Sequence, residues 1–187
     1  LDAVVNSSCL AYFRSVDEAT DVEIMEQVET NLLGTIWMTH AALPALLKSK
    51  GALVTVGSFA GRVAVPYYGY YSATKFALVA LSEAWRRELA PRRVRVTTIL
   101  PAAVETRFLE KAGRDRALGR GPAGIVLSPE VVARAIERGL TRHPAETEPA
   151  PARRVHTPDI RTIAELAAFA GVEEHDTVKT MAAKTLE

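Results

Sequence analysis

The chain has 187 residues, 48% hydrophobic and 24% charged, a globular composition that excludes disordered and collagen-like chains. Lys and Arg total 23 against 22 Asp and Glu, a net charge of +1, so bulk electrostatics gives no case for nucleic acid, membrane or polyanion binding. One cysteine, Cys9, and four scattered histidines exclude a disulfide framework and offer no metal-ligand spacing.

No stretch reaches the roughly 18 apolar residues of a membrane span, and Leu1 to Val5 lacks the charged start of a signal peptide. The cytoplasm is therefore the expected compartment, and Cys9 reads as a small buried hydrophobe before it reads as a reactive thiol. The first residue is Leu, so the natural N-terminus need not lie there.

Leu1 to Val5, closed by Asn6-Ser7-Ser8, predicts a short buried strand. Thr20-Asp21-Val22-Glu23 has the form of a capping box, and Met25, Val28, Leu32 and Ile36 recur at helical spacing, predicting one long helix to about Lys48 with a bend at Pro44. Ala52 to Val56 is apolar and β-branched, a second buried strand stopped by Gly57. Gly61 to Pro66 reads as a loop. Ser72 to Leu89 carries Phe76, Val79, Ala80, Glu83 and Arg87 at helical intervals before Pro91 ends it. Val94 to Leu100 is a third strand, stopped by Pro101. Strand, helix, strand, helix, strand with strongly apolar strands predicts an α/β fold, a doubly wound parallel sheet.

Arg107 to Leu127 reads as a structureless loop of unusual length. Gly119 to Gly124 fits G-x-G-x-x-G but follows no strand, so it reads as flexible loop and not as a phosphate cradle. Ser128-Pro129-Glu130 caps a helix over Val131 to Leu140. Pro144 to Pro151 is a linker; beyond it Thr162 to Phe169 reads as helical and Thr177 to Ala183 as strand or helix. Arg107, Arg114, Arg116 and Arg120 read as solvated loop charges. Arg86, Arg87, Arg92, Arg93 and Arg95 suit a helix C-terminus without needing RNA.

Tyr71-Ser72-Ala73-Thr74-Lys75 sets a phenol and an ammonium four residues apart on one helix face. A cation beside a phenol favours phenolate, which makes Tyr71 a candidate acid/base group; the plain alternative is an aromatic ring packed on a lysine stem. Ser58 ends the second strand and Asn31 lies in the preceding helix. Ligands of open α/β sheets bind at the carboxyl ends of the strands, where Asn6, Ser58 and Pro101 fall.

Together these residues resemble the short-chain dehydrogenase/reductase family over roughly Leu1 to Ala145. The family's Asn-Asn-Ala-Gly corresponds to Asn6-Ser7-Ser8-Cys9, its helix Asn to Asn31, its Ser-x-x-Gly to Ser58-Phe59-Ala60-Gly61, and its Tyr-x-x-x-Lys to Tyr71 and Lys75. Its Pro-Gly turn with a downstream Thr corresponds to Pro101 through Thr106. The resemblance implies a Rossmann-type sheet missing its N-terminal strands, and an NAD or NADP-dependent oxidoreductase that interconverts a small-molecule alcohol and ketone. It further implies that Tyr71 transfers the proton, Ser58 orients the substrate oxygen, Lys75 bonds the nicotinamide ribose and Asn31 holds a relay water. Asn6, Tyr71, Lys75, Pro101, Val104 and Thr106 would line the cofactor, with Val104 and Thr106 at the carboxamide or pyrophosphate. A homo-oligomer is implied through the two long helices. Ser7 and Cys9 depart from the first motif and Ala102 from the Pro-Gly turn, and the glycine-rich phosphate turn has no counterpart between Leu1 and Glu187.

The tail, Arg154 to Leu166 and on to Thr180, resembles bacterial prolyl-tRNA synthetase where its core enters the editing domain, with Lys179 as the one residue carried over. The expected organisation is a catalytic half at 1–145, a linker at 146–153 and this fragment at 154–187. Two rival readings are a non-catalytic fragment or interaction module and, through the tail, a tRNA-editing accessory protein.

Overall fold

The computed structural model describes residues 1–113 and 126–141. These belong to the first of two units into which the chain divides, Leu1–Arg142 and His143–Glu187. The Gly119 to Gly124 stretch, Arg114, Arg116, Arg120, the linker, and the tail with Lys179 lie outside the described residues.

Three strands, β1 (Ala3–Asn6), β2 (Ala52–Val56) and β3 (Arg95–Ile99), form a parallel sheet in the order β1-β2-β3, with Val4 opposite Leu53 and Leu53 opposite Val96. Alternate side chains leave opposite faces. Leu53 and Val96, with Val4 against them, meet Leu46 of α2 (Gly34–Ser49) and Leu89 of α3 (Gly69–Leu89) on one face. On the other, α5 (Pro129–Thr141) lies so close that a Cβ on Gly139 would sit 3.0 Å from Thr97 Cγ2 and 3.3 Å from Val54 Cγ2. Helices thus cover both faces, as strands this apolar require. Arg95 donates 2.8 Å to the Leu140 carbonyl at the end of α5, which gives one member of the basic cluster a capping role. Arg87 pairs with Glu83 one turn away.

The capping box forms as read: Thr20 Oγ1 accepts from the Glu23 amide while the Glu23 carboxylate accepts from the Thr20 amide, opening α1 (Asp21–Gln27). The single helix expected to Lys48 is corrected: between α1 and α2 the backbone widens into a π-helical stretch, Val28–Leu33. Pro44 sits inside α2 without ending it.

The most deeply buried face of this stretch is polar, while Val28, Leu32 and Ile36 are half-buried. Gln27, Asn31, Thr35 and Thr39 are buried, whereas Met25 is 51% and Trp37 62% exposed. The widened turn adds a residue to the helical repeat and turns this polar row inward. On α3 the buried positions are Tyr71, Ser72, Thr74, Lys75, Leu78, Val79, Ser82 and Leu89, while Phe76 is exposed.

The predicted loop after Arg107 is structured at its ends. Short α4 (Phe108–Lys111) follows Arg107, and β4 (Ala103–Val104) pairs in parallel with β5 (Val126–Leu127).

Candidate active site

The carboxyl ends of β1, β2 and β3 carry the candidate residues. β1 ends on Asn6, whose Nδ2 donates to Thr39 Oγ1 of α2 at 3.0 Å; this buried side chain ties the strand end to its helix. After β2, the parallel pairing runs on: Gly57 N donates to Ile99 O at 2.7 Å and Phe59 N to Pro101 O at 2.9 Å. Gly57 has no room for a Cβ, which would sit 2.6 Å from Leu100 Cδ2. This continuation brings Ser58 beside buried Pro101.

Ser58 Oγ then accepts from the Ala60 amide at 3.1 Å and caps the one-turn 3-10 helix Phe59–Gly61. That turn rests directly on α3. A Cβ on Gly61 would lie 2.7 Å from the Lys75 carbonyl oxygen, so only glycine permits the approach that seats Ser58 against Tyr71. The Ser58 side chain lies near enough to the Tyr71 phenol to pull its pKa down.

Tyr71 occupies the first turn of α3, which begins three residues before the expected Ser72. Its ring lies between Tyr68 at 5.7 Å and Phe108 at 5.8 Å. Lys75 is fully buried, with Nζ 5.5 Å from the Tyr71 ring centroid and donating to the Val56 carbonyl at 3.2 Å. Both halves of the expected pair are therefore buried side by side.

Their electrostatics differ from the simplest expectation. Burial is the largest influence on Tyr71 and pushes its pKa up, Cys9 adds to the rise, and the Ser58 side chain pulls it back. Lys75 is pushed down by the same burial, with Cys9 opposing. In a site this dry, desolvation is the largest influence on both groups and disfavours phenolate and ammonium alike.

Asn31 lies within the widened turn and is completely buried. Its Oδ1 accepts from Leu10 N at 2.8 Å, while Nδ2 donates to Leu10 O at 2.9 Å and to Thr74 Oγ1 at 3.2 Å. Thr74 Oγ1 in turn donates to the Tyr71 carbonyl at 2.8 Å. The side chain is a clamp between the loop after β1 and α3. Its own carbonyl accepts from Thr35 Oγ1 at 2.9 Å.

Val104 is half-buried in β4. Thr106 is exposed, and its Oγ1 accepts from the Phe108 amide at 3.3 Å. Both follow Pro101 on the strand-end side of the sheet.

Sequence reasoning missed Thr74, whose signal was its place three residues after Tyr71, and Thr39, which had none. It also missed Phe108, which α4 brings to Tyr71, and Phe13, which the loop after β1 brings to Tyr68.

A family model described as short chain dehydrogenase matches residues 1–117, a span that contains every candidate residue. The chain belongs to the short-chain dehydrogenase family. Among curated relatives, 3-amino-tetrahydro-pyrrolizinone reductase of Xenorhabdus hominickii is 33% identical over 108 residues, 58% of this chain and 38% of that protein. The 3-ketodihydrosphingosine reductase of Bacteroides thetaiotaomicron is 32% identical over 111 residues, 59% of this chain and 41% of that one. The chain thus spans less than half the length of either relative. Among solved structures, an alcohol dehydrogenase from the archaeon Thermococcus sibiricus, complexed with 5-hydroxy-NADP, superposes with a TM-score of 0.62 at 30% identity. That match covers 73% of this chain and 55% of that one. The short-chain dehydrogenase match ends before the tail, and prolyl-tRNA synthetase is not the family found.

Proposed function

We propose that this short-chain dehydrogenase chain supplies the reacting half of an NAD(P)-dependent oxidoreductase that interconverts a small-molecule alcohol and a carbonyl compound. The observation that carries the reading is the packing of Ser58, Tyr71 and Lys75 at the strand ends, with the phenol buried and the serine beside it. Relatives named as reductases and a neighbour complexed with an NADP derivative support it.

A nicotinamide cofactor, when bound, supplies or accepts the hydride. The donor set here fits the ribose end of such a group. Lys75 has three N–H groups, and among the described residues the Val56 carbonyl is the partner recorded for them, leaving donors for ribose hydroxyls. Val104 and Thr106 stand toward the carboxamide or pyrophosphate, and Asn6 and Pro101 hold the strand ends that form the floor.

Tyr71 holds its proton at Oη because burial favours the neutral phenol. In reduction that proton passes to the substrate oxygen as the carbonyl becomes an alcohol, and in oxidation it returns. The Ser58 hydroxyl orients the same oxygen. Ribose oxygens accepting from Lys75 would favour its ammonium form, and the ammonium lowers the phenol toward a useful range. Asn31 fixes the loop opposite and, through Thr74, the first turn of α3, and we assign to it a relay water.

Exposed Val22, Met25, Trp37 and Met38 along α1 and α2, with Phe76 of α3, are the surface we assign to a second copy of the protein. Among the described residues no helix is long and apolar enough to cross a membrane, and we place the protein in the cytoplasm. Oxidation of NADH and NADPH with a panel of ketones tests the activity. Turnover with either, abolished in Tyr71→Phe, is the expected result; turnover that survives the substitution overturns the role of Tyr71.

A further inference from the structure

Tyr71 stands in the first turn of α3, where a helix is held least well, because its opening amides have no partner inside the helix and its ends fray. The N-cap position falls on Tyr68, whose side chain makes no capping hydrogen bond. A phenol that has to meet a substrate oxygen beside Ser58 is thus carried by a turn that its own cap does not fix. The other hydroxyl of this turn, Ser72 Oγ, accepts from Val65 N at 3.3 Å and holds the loop before the helix.

Thr74 anchors the turn itself. It is 3% exposed, and its Oγ1 accepts from Asn31 Nδ2 at 3.2 Å and donates to the Tyr71 carbonyl at 2.8 Å. A threonine in a helix has two accessible rotamers, because its hydroxyl can bond back to a carbonyl three or four residues earlier. The Asn31 amide chooses between them. A hydroxyl has a single hydrogen, so with Asn31 donating to the oxygen, that hydrogen is left to the Tyr71 carbonyl. Asn31 is itself held at Leu10 through both its oxygen and its nitrogen. One line of hydrogen bonds therefore runs from the loop after β1, through two buried side chains, to the backbone of Tyr71, each bond polarising the next. A back-bonded threonine also bends its helix slightly, and a bend this close to Tyr71 sets the direction of the ring.

We infer that Thr74 is a positioning residue for the reaction: its hydroxyl, pinned by Asn31, fixes the backbone of Tyr71 and with it the direction in which the phenol meets the substrate oxygen. Thr74 is too buried to meet substrate itself, so it acts through Tyr71. The inference deepens the oxidoreductase reading and rests on Tyr71 as the reacting phenol.

Thr74→Val keeps the branched shape and removes the hydroxyl, whereas Thr74→Ser keeps the hydroxyl and removes the methyl. Oxidation of NADH and NADPH with the ketone panel gives kcat and KM. NMR of protein carrying carbon-13 at tyrosine Cζ, with the Tyr71 signal assigned through Tyr71→Phe, reports the phenol without requiring turnover. Thr74→Val should lower kcat about tenfold to a hundredfold, the scale that an ångström of misplacement costs, leave KM little changed and shift the Tyr71 signal. Thr74→Ser should restore both. Thr74→Ala, which leaves room for a water at Asn31, should repeat the loss and takes the place of the valine variant where valine impairs folding. Unchanged kcat in the hydroxyl-free variants, a loss carried by KM alone, or a serine variant as impaired as the valine one overturns the inference. Absence of turnover by the parent protein with every ketone overturns the oxidoreductase reading instead, and the Tyr71 signal then decides for Thr74 alone: a shift in valine that serine reverses upholds the seat, and an unmoved signal overturns it.

Discussion

Replacing Asn31 by Ala should cost about 3 kcal/mol of stability, a magnitude that follows from three hydrogen bonds. Asn31 Oδ1 accepts from Leu10 N, and Nδ2 donates to Leu10 O and Thr74 Oγ1 at 2.8, 2.9 and 3.2 Å, with the side chain fully buried. A hydrogen bond contributes about 1 kcal/mol net, and a buried group left unpaired costs about 1–3 kcal/mol. Thr74 keeps its bond to the Tyr71 carbonyl, and water entering the vacated space offsets part of the loss at Leu10, which keeps the sum near the lower figure. Against a typical domain stability of about 5–15 kcal/mol, the variant still folds. Urea denaturation followed by tryptophan fluorescence gives the difference. Asn31→Asp provides the control. It keeps an acceptor for Leu10 N but sets a carboxylate oxygen against the Leu10 carbonyl, so it should be at least as destabilising at neutral pH. Acidification should restore part of the loss, because the protonated carboxyl donates again. A loss below about 1 kcal/mol in Asn31→Ala, or no acid recovery in Asn31→Asp, would show that the clamp does not hold the loop.

Tyr71→Phe should lower kcat by about two to four orders of magnitude, the range of a lost acid/base group, with little change in the urea midpoint; comparable rates refute the assignment. Stability should also depend on pH through the buried pair. The folded pKa of Lys75 is depressed below its ordinary 10.5, so stability climbs as pH rises from the folded value toward 10.5, and Lys75→Met should remove that slope. The folded pKa of Tyr71 is raised above its ordinary 10.0, so its contribution is intact below pH 10 and is lost as pH rises toward the folded value; Tyr71→Phe should abolish that fall. Unfolding midpoints measured from pH 6 to 11 resolve both signs. Gly61→Ala drives a Cβ to 2.7 Å from a backbone oxygen of α3, whereas Gly139→Ala meets the Thr97 methyl at 3.0 Å. The first should destabilise by about 1–3 kcal/mol and depress turnover, the second should cost less, and a reversed order in thermal unfolding would contradict the packing described.

The local order of this short-chain dehydrogenase chain was legible from its residues. Short apolar, β-branched runs marked β2 and β3, Thr20 and Glu23 marked the start of α1, and a fixed spacing put Tyr71 and Lys75 on one face, because each of these signals acts over a few bonds or one helical turn. Which face is buried was not legible in the same way. Met25, Val28, Leu32 and Ile36 carry the apolar period, yet Val28, Leu32 and Ile36 are only half-buried while Gln27, Asn31, Thr35 and Thr39 are buried. Asn31 and Thr39 find partners 21 to 43 residues away, in Leu10, Asn6 and Thr74, and no local pattern announces a partner at that separation. The electrostatics of the pair were decided at the same level. A lysine four residues from a tyrosine predicts a lowered phenol, but pressing Gly61 onto α3 and closing Tyr68 and Phe108 over the ring removes water. The desolvation that follows, a property of the packed site and of no single residue, is the largest influence on both groups.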